Sequence, residues 1–167
     1  KKATLDAAGK VNVDSITDYA GDAASLSTAL FINNKGFAAT GSSADDVMIN
    51  RQALASINGD AGNDKIFNFA AKATVLNGGG GEDSVYSVGL TSEAEINVSS
   101  GNGYVKLIGG MSAGGKILLG TGYNMLDASG QTLSGVKISD TGSSASAIMA
   151  GTLPQGAVVA LSAGQAT

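Results

Sequence analysis

Three aspartates, Asp46, Asp64 and Asp83, recur 18 and 19 residues apart, each near the end of a turn rich in small residues. Two of these turns read Gly59-Asp60-Ala61-Gly62-Asn63-Asp64-Lys65-Ile66-Phe67 and Gly78-Gly79-Gly80-Gly81-Glu82-Asp83-Ser84-Val85-Tyr86. An aspartate brings a hard, anionic oxygen, and glycines let a turn aim several carbonyl oxygens at one point. The spacing would stack the three carboxylates along one edge of a coiled chain. With no His and no Cys in 167 residues, imidazole bases, thiol nucleophiles and the usual transition-metal ligands are all missing. The many serines match turn use, and the run Gly78 to Gly81 lacks the Lys-Ser/Thr of a phosphate loop. Glu93 and Glu95 form the one carboxylate pair of the kind a glycosidase uses, and are read as a solvated corner. No catalytic residues are expected.

Both turns fit the nine-residue pattern G-x-x-G-x-D-x-U-x, the second with the stricter G-G-x-G opening. A third, Gly41-Ser42-Ser43-Ala44-Asp45-Asp46-Val47-Met48-Ile49, keeps the first Gly, the Asp and an apolar eighth residue, with Ala44 at the fourth position. Over residues 41–86 the chain resembles the RTX family of hemolysin-type calcium-binding repeats, which form a parallel β-roll. The resemblance implies Ca2+ between successive turns. Its candidate ligands are Asp46, Asp64 and Asp83 with the turn positions Gly41, Gly59, Ala61, Gly62, Gly78, Gly80 and Gly81. Calcium takes six to eight oxygens, so one turn cannot suffice, and two ions between three turns would share Asp64. The opposite corners, such as Arg51-Gln52-Ala53 and Ala70-Ala71-Lys72, lack the pattern, so one edge alone is expected to hold metal. The later turns, Gly101-Asn102-Gly103, Gly120 to Asn124 and Thr141 to Ser144, lack the Asp, so residues 87–167 are expected to be metal-free. A plainer reading of the same turns has each Asp capping backbone amides only.

These turns sit within a repeat covering the whole chain. Breaks where a turn gives way to an apolar segment fall near Ala3, Ser25, Val47, Lys65, Ser84, Tyr104, Met125 and Ala147. Each unit holds two short strands and two turns, as in Lys65-Ile66-Phe67 and Thr74-Val75-Leu76. The fold class expected is all-β: a single-domain parallel solenoid over 1–167, β-roll-like, with two strands per coil and about eight coils of 18–22 residues. Met48, Ile66, Val85, Val105, Leu126 and Ile148 should form one inward column. Glycine interrupts every 3.6-residue apolar pattern, so helix is not expected. The competing fold is an antiparallel sandwich with hairpins at Asn58-Gly59 and Asn77-Gly78.

Composition bounds the partners. Net charge is −4 with scattered basic residues, which offers no footprint for nucleic acid. No apolar run reaches the roughly 18 residues of a membrane-spanning helix. Absent Cys and calcium-type turns suit a secreted bacterial protein at the cell surface or beyond it. The absence of a recognisable cap suggests end-to-end self-association, the first coil (Ala3 to Val13) adding to the last (Ala147 to Ala160). The role expected is structural, a building block of a filament, surface layer or adhesin stalk. The alternative is a calcium-triggered folding or secretion module of a larger secreted enzyme or toxin.

Overall fold

The computed structural model describes residues 29–33, 38–51, 53, 55–73, 75–91, 93–140, 142, 146–152 and 158–160. The expected first coil, the Gly21-Asp22-Ala23-Ala24 junction and most of the Thr141 to Ser144 turn lie outside these residues. Turns cut the apolar sequence into runs too short for a helix, and alternating burial marks those runs as strands. In chain order they are β1 (Ala29–Asn33), β2 (Ala39–Thr40), β3 (Asp46–Asn50), β4 (Ser56–Asn58), β5 (Lys65–Asn68), β6 (Val75–Asn77) and β7 (Ser84–Ser87). They continue as β8 (Glu95–Val98), β9 (Tyr104–Leu107), β10 (Lys116–Leu119), β11 (Met125–Thr132), β12 (Lys137–Asp140), β13 (Ala147–Thr152) and β14 (Val158–Ala160).

Odd-numbered strands form one seven-stranded sheet and even-numbered strands another. Each strand pairs in parallel with its equivalent one coil away, never with its neighbour in sequence. The chain is therefore a two-strand-per-coil β-solenoid. Asn58-Gly59 and Asn77-Gly78 join strands of opposite sheets, which removes the hairpin alternative.

The core is two facing columns of side chains. Met48, Ile66, Val85, Val105 and Leu126 are fully enclosed, and Ile148 is half-buried against them. Ile57, Leu76, Ile96, Ile117 and Ile138 face them from the other sheet. Enclosing each such side chain contributes about 1.5–3 kcal/mol. At the narrower end a polar ladder replaces part of the apolar core. Asn50 Nδ2 donates to Asn68 Oδ1 at 2.8 Å, and Asn68 Nδ2 donates to Ser87 Oγ at 2.9 Å.

Two details differ from the sequence expectation. Among the described residues each sheet has seven strands; eight coils were expected, the first of which lies outside those residues. The coil period also drifts: pairing steps 17 residues from Leu30 to Val47, then 18, 19, 20, 21 and 22 to Ala147. The break expected at Ser25 is displaced accordingly, and 17 falls below the expected range.

The drift falls mostly on one corner. From Ile57 to Ile66, Leu76 to Val85, Ile96 to Val105 and Ile117 to Leu126 the chain takes nine residues each time, and only from Ile138 to Ile148 does this edge take ten. Across the opposite corner it takes nine from Met48 to Ile57, then ten, eleven and twelve for the following three coils. The added length brings a third buried column of Leu90, Met111 and Leu133. Backbone pairing follows it: Leu90 and Met111 form a parallel bridge, and Ser112 N–H donates to Leu90 O at 2.8 Å.

Candidate metal-binding edge

The nine-residue edge carries the acids. Parallel register of β3, β5 and β7 puts Asp46, Asp64 and Asp83 in single file, one per coil, each immediately before its strand or opening it. All three are buried. Asp64 and Asp83 each link to the coil before: Asp46 N–H donates to Asp64 Oδ1 at 2.7 Å, and Asp64 N–H donates to Asp83 Oδ1 at 2.9 Å. Asp46 is held within its own turn by the N–H and hydroxyl of Ser42. The sequence reading missed Ser42, although a serine four residues before an acid is a familiar turn partner.

The second oxygens are different. Oδ2 of Asp64 and of Asp83 is enclosed with no hydrogen-bond partner. Burial pushes the Asp64 carboxyl up to about 7, with the charges of Asp83, Asp46 and Asp45 adding to it and the Asp46 N–H opposing it. Burial raises Asp83 as well, against the Asp64 N–H. An isolated carboxylate oxygen in such a place is costly unless a proton or a cation meets it.

The glycines of this edge serve two purposes. Gly62 and Gly81 have φ of 116° and 140°, the left-handed region that side chains avoid. Gly41, Gly59 and Gly78 are needed for space instead. A Cβ on Gly59 would lie 2.2 Å from Asp64 Oδ2 and 2.1 Å from Gly78 O; one on Gly78 would lie 2.3 Å from Asp83 Oδ2. At Gly41 the Asp46 carboxylate lies 2.5 Å away. The carboxylate of each coil thus fills the room its first glycine leaves open. Ala61 and Gly80 form a parallel bridge, and Gly80 O accepts the N–H of Gly62 at 2.9 Å. Part of the carbonyl set expected to face a cation is therefore joined between coils.

The next coils show what replaces the acid. In the file of Asp46, Asp64 and Asp83 stand Gly103 and then Asn124. Beside Gly103 the side chain of Val98 takes up the space, with Cγ2 2.5 Å from where a Cβ would sit. At Asn124 the side chain repeats the acid's inter-coil bond, its Oδ1 accepting Gly103 N–H at 2.8 Å. Its Nδ2 donates to Gly120 O and Gly122 O, both at 2.9 Å. Where the second carboxylate oxygen would lie, the amide thus presents hydrogens to two turn carbonyls. An acid in that setting needs a positive group in the same place, and this fits a hard cation bound by carboxylate and main-chain oxygens.

No three His, Cys, Asp or Glu side chains are grouped around one point among the described residues. The carboxylates stand in file with amides between them, so any ion here would draw most of its ligands from the main chain. Outside this edge, Asp140 is a buried acid that the sequence reading passed over, with Oδ1 accepting Gly142 N–H at 3.0 Å and Oδ2 unpartnered. Glu93 lies exposed on the growing corner and Glu95 faces outward on β8. Gly110-Met111-Ser112-Ala113-Gly114 has the spacing of a nucleophile elbow, another feature missed in the sequence. An elbow joins a strand to a helix and needs an imidazole; this segment is a coil corner in a chain without His.

A stack of parallel coils with a file of buried acids on one edge defines a β-solenoid of β-roll-like construction. Comparison with protein families, with curated proteins and with solved structures finds no match.

Proposed function

We propose that the chain is an extracellular structural solenoid, the building block of a filament, surface layer or adhesin stalk, and that Ca2+ on its acidic edge stabilises it. The observation that carries the calcium reading is the pair of enclosed, unpartnered oxygens on Asp64 and Asp83, in register one coil apart. A bound cation would neutralise these oxygens and draw the carbonyls of adjacent turns toward one point. The residues assigned to it are Asp46, Asp64 and Asp83 with main-chain oxygens of the turns that contain Gly41, Gly59, Ala61, Gly62, Gly78, Gly80 and Gly81. The structural role is supported by the uninterrupted stack, whose shared core leaves no coil able to fold alone.

Assembly is proposed to run end to end, because each coil already adds to the one before it by parallel pairing. The strands proposed to meet are those of residues 3–13 and 147–160, the former outside the described residues. Localisation in the secreted, cell-surface compartment follows from the resemblance to RTX repeats. No helix among the described residues is long and apolar enough to cross a membrane. The test is calorimetric titration of Ca2+ into chelator-treated protein, with electron microscopy of the same sample. Heat of binding and a higher melting temperature are expected, with filaments at high concentration. No binding at millimolar Ca2+ would remove the metal reading; single particles at every concentration would remove the assembly reading.

A further inference from the structure

The two outer faces of the solenoid are unlike each other. All the large apolar side chains exposed among the described residues (Phe69, Ile108, Tyr123, Met125 and Met149) lie on the odd-strand sheet or at its margins. Ile49, Phe67, Tyr86 and Tyr104 lie half-buried between them, pointing outward. The even-strand sheet turns out Asn58, Asn77 and Asn97, with Glu95, Lys116 and Lys137. We propose that the odd-strand face is a lateral interface, on which a second copy of this chain docks with its coils running antiparallel.

Geometry and charge select that occupant. From β3 to β13 the face spans six of the sheet's seven strands and about three outward positions per strand, roughly 24 Å by 13 Å between outermost backbone positions at standard spacings. With side chains this is on the order of 400 Å² per copy, as large as the patches that mark interaction sites on soluble proteins. Phe67 and Tyr86 stack on one another, with centroids 4.9 Å apart and planes 11° from parallel. With each ring covering the other's face, this pair offers a sugar ring little to stack on. A lipid surface would have to desolvate Lys65 and the Lys106–Asp127 ion pair, which sit within the patch.

A second copy answers those charges. Counting coils from β3 to β13 as one to six, Lys65 is on coil two, Lys106 on four and Asp127 on five. An antiparallel two-fold placed between β7 and β9, with β1 beyond the overlap, sets coil two against five, three against four and one against six. Lys65 then approaches Asp127 of the second copy, Lys106 meets its Tyr86, and Ile49 meets its Met149. A parallel two-fold would instead place each of these charges level with its own duplicate. The two copies would bury about 800 Å² together, less than the roughly 1,000 Å² of a stable specific interface, so the expected product is a weak, reversible dimer. This proposal does not rest on calcium, and it differs from end-to-end growth in stopping at two copies.

The test is sedimentation velocity over a range of concentrations, in chelator, on the whole chain. Wild type should show a monomer–dimer equilibrium. Met149→Glu and Ile108→Glu change exposed positions that would face apolar side chains, so folding should be kept, and each should weaken dimerisation at least tenfold. The chain has no Cys, so an Ile49→Cys/Met149→Cys variant can be treated with a short bismaleimide and the linked peptides mapped. Links from position 49 to 149 between copies are expected; links of 49 to 49 would overturn the antiparallel arrangement. A wild-type monomer at the highest concentration, or glutamate variants that dimerise unchanged, would overturn the interface itself. Binding to phosphatidylcholine vesicles that the same glutamate changes abolish would assign the face to lipid instead.

Discussion

Replacing Asp64 with Asn should raise stability without calcium and remove the response to it. In the structure Asp64 Oδ2 is enclosed and unpartnered, and burial holds its carboxyl near 7. Above that pH the folded chain carries a charged oxygen with no donor. Leaving a buried acceptor unsatisfied costs about 1–3 kcal/mol, and more when it is charged. Asparagine keeps the Oδ1 that accepts Asp46 N–H and exchanges the orphan oxygen for a donor, as Asn124 does three coils further along the same file. A gain of about 1–3 kcal/mol in a chain of this size corresponds to a melting temperature roughly 2–12 °C higher. The assay is thermal unfolding followed by circular dichroism at pH 8, in chelator and in millimolar Ca2+. In chelator the variant should melt above wild type; in Ca2+ wild type should gain and the variant should not. If the variant melts lower in chelator, Oδ2 is already satisfied and the reasoning about this edge fails. If both proteins respond to Ca2+ equally, the ion binds elsewhere.

Without calcium, acid should stabilise the edge: Asp64 and Asp83 have folded values above the ordinary 3.8, so their contribution is fullest below that value and is lost as pH rises toward about 7. Melting in chelator should therefore fall between pH 5 and 8, while Asp127, drawn down to about 2 by its hydrogen bond from Lys106, stays charged throughout; a flat profile would contradict the burial of these acids. Gly59→Ala should destabilise by about 1–3 kcal/mol through overpacking against Gly78 O and Asp64 Oδ2, whereas Gly80→Ala, whose Cβ would meet only Asp60 O at 3.7 Å, should be tolerated. Equal melting of the two in urea or heat would refute the spatial role given to Gly59. Val85→Asp puts a charge into the fully enclosed column and should unfold the middle coils, seen as lost strand signal in circular dichroism; a native-like melt would mean the column is not closed.

The strand phase was legible because apolar residues recur beside a repeated turn chemistry. Ile66 and Val85 could be placed inward from the Asp two residues before each of them, and they are inward. The same spacing put Asp46, Asp64 and Asp83 in one file, as the register shows. What the sequence did not reveal is how deeply those acids sit, since a turn motif names residues without saying which atoms reach water. Nor did it distinguish glycines that need positive φ from those that make room, because both are written with one letter. Gly62 belongs to the first kind and Gly59 to the second. The exposed apolar face was hidden for a related reason: Phe67 and Met125 lie 58 positions apart and come to share one surface only once the coils stack.

The unequal behaviour of the two edges follows from what each must hold. On the acidic edge a backbone N–H reaches the carboxylate of the next coil across 2.7 to 2.9 Å, and glycines leave room for little else. One inserted residue there would turn the acid out of its file and strand its partner amide inside the stack. The spacing accordingly stays at nine residues through the coils of the acids and Asn124 while the rest of the coil changes, and grows to ten only beyond them, from Ile138 to Ile148. The opposite corner carries no such file. Its ladder of Asn50, Asn68 and Ser87 gives way at Leu107, and from there the added length is taken up by enclosed Met111 and Leu133. Apolar filling tolerates an inserted residue so long as volume is matched, whereas a hydrogen-bonded file does not. Through these coils the widening is therefore on one side, and the polar edge fixes the register on which the apolar side is built.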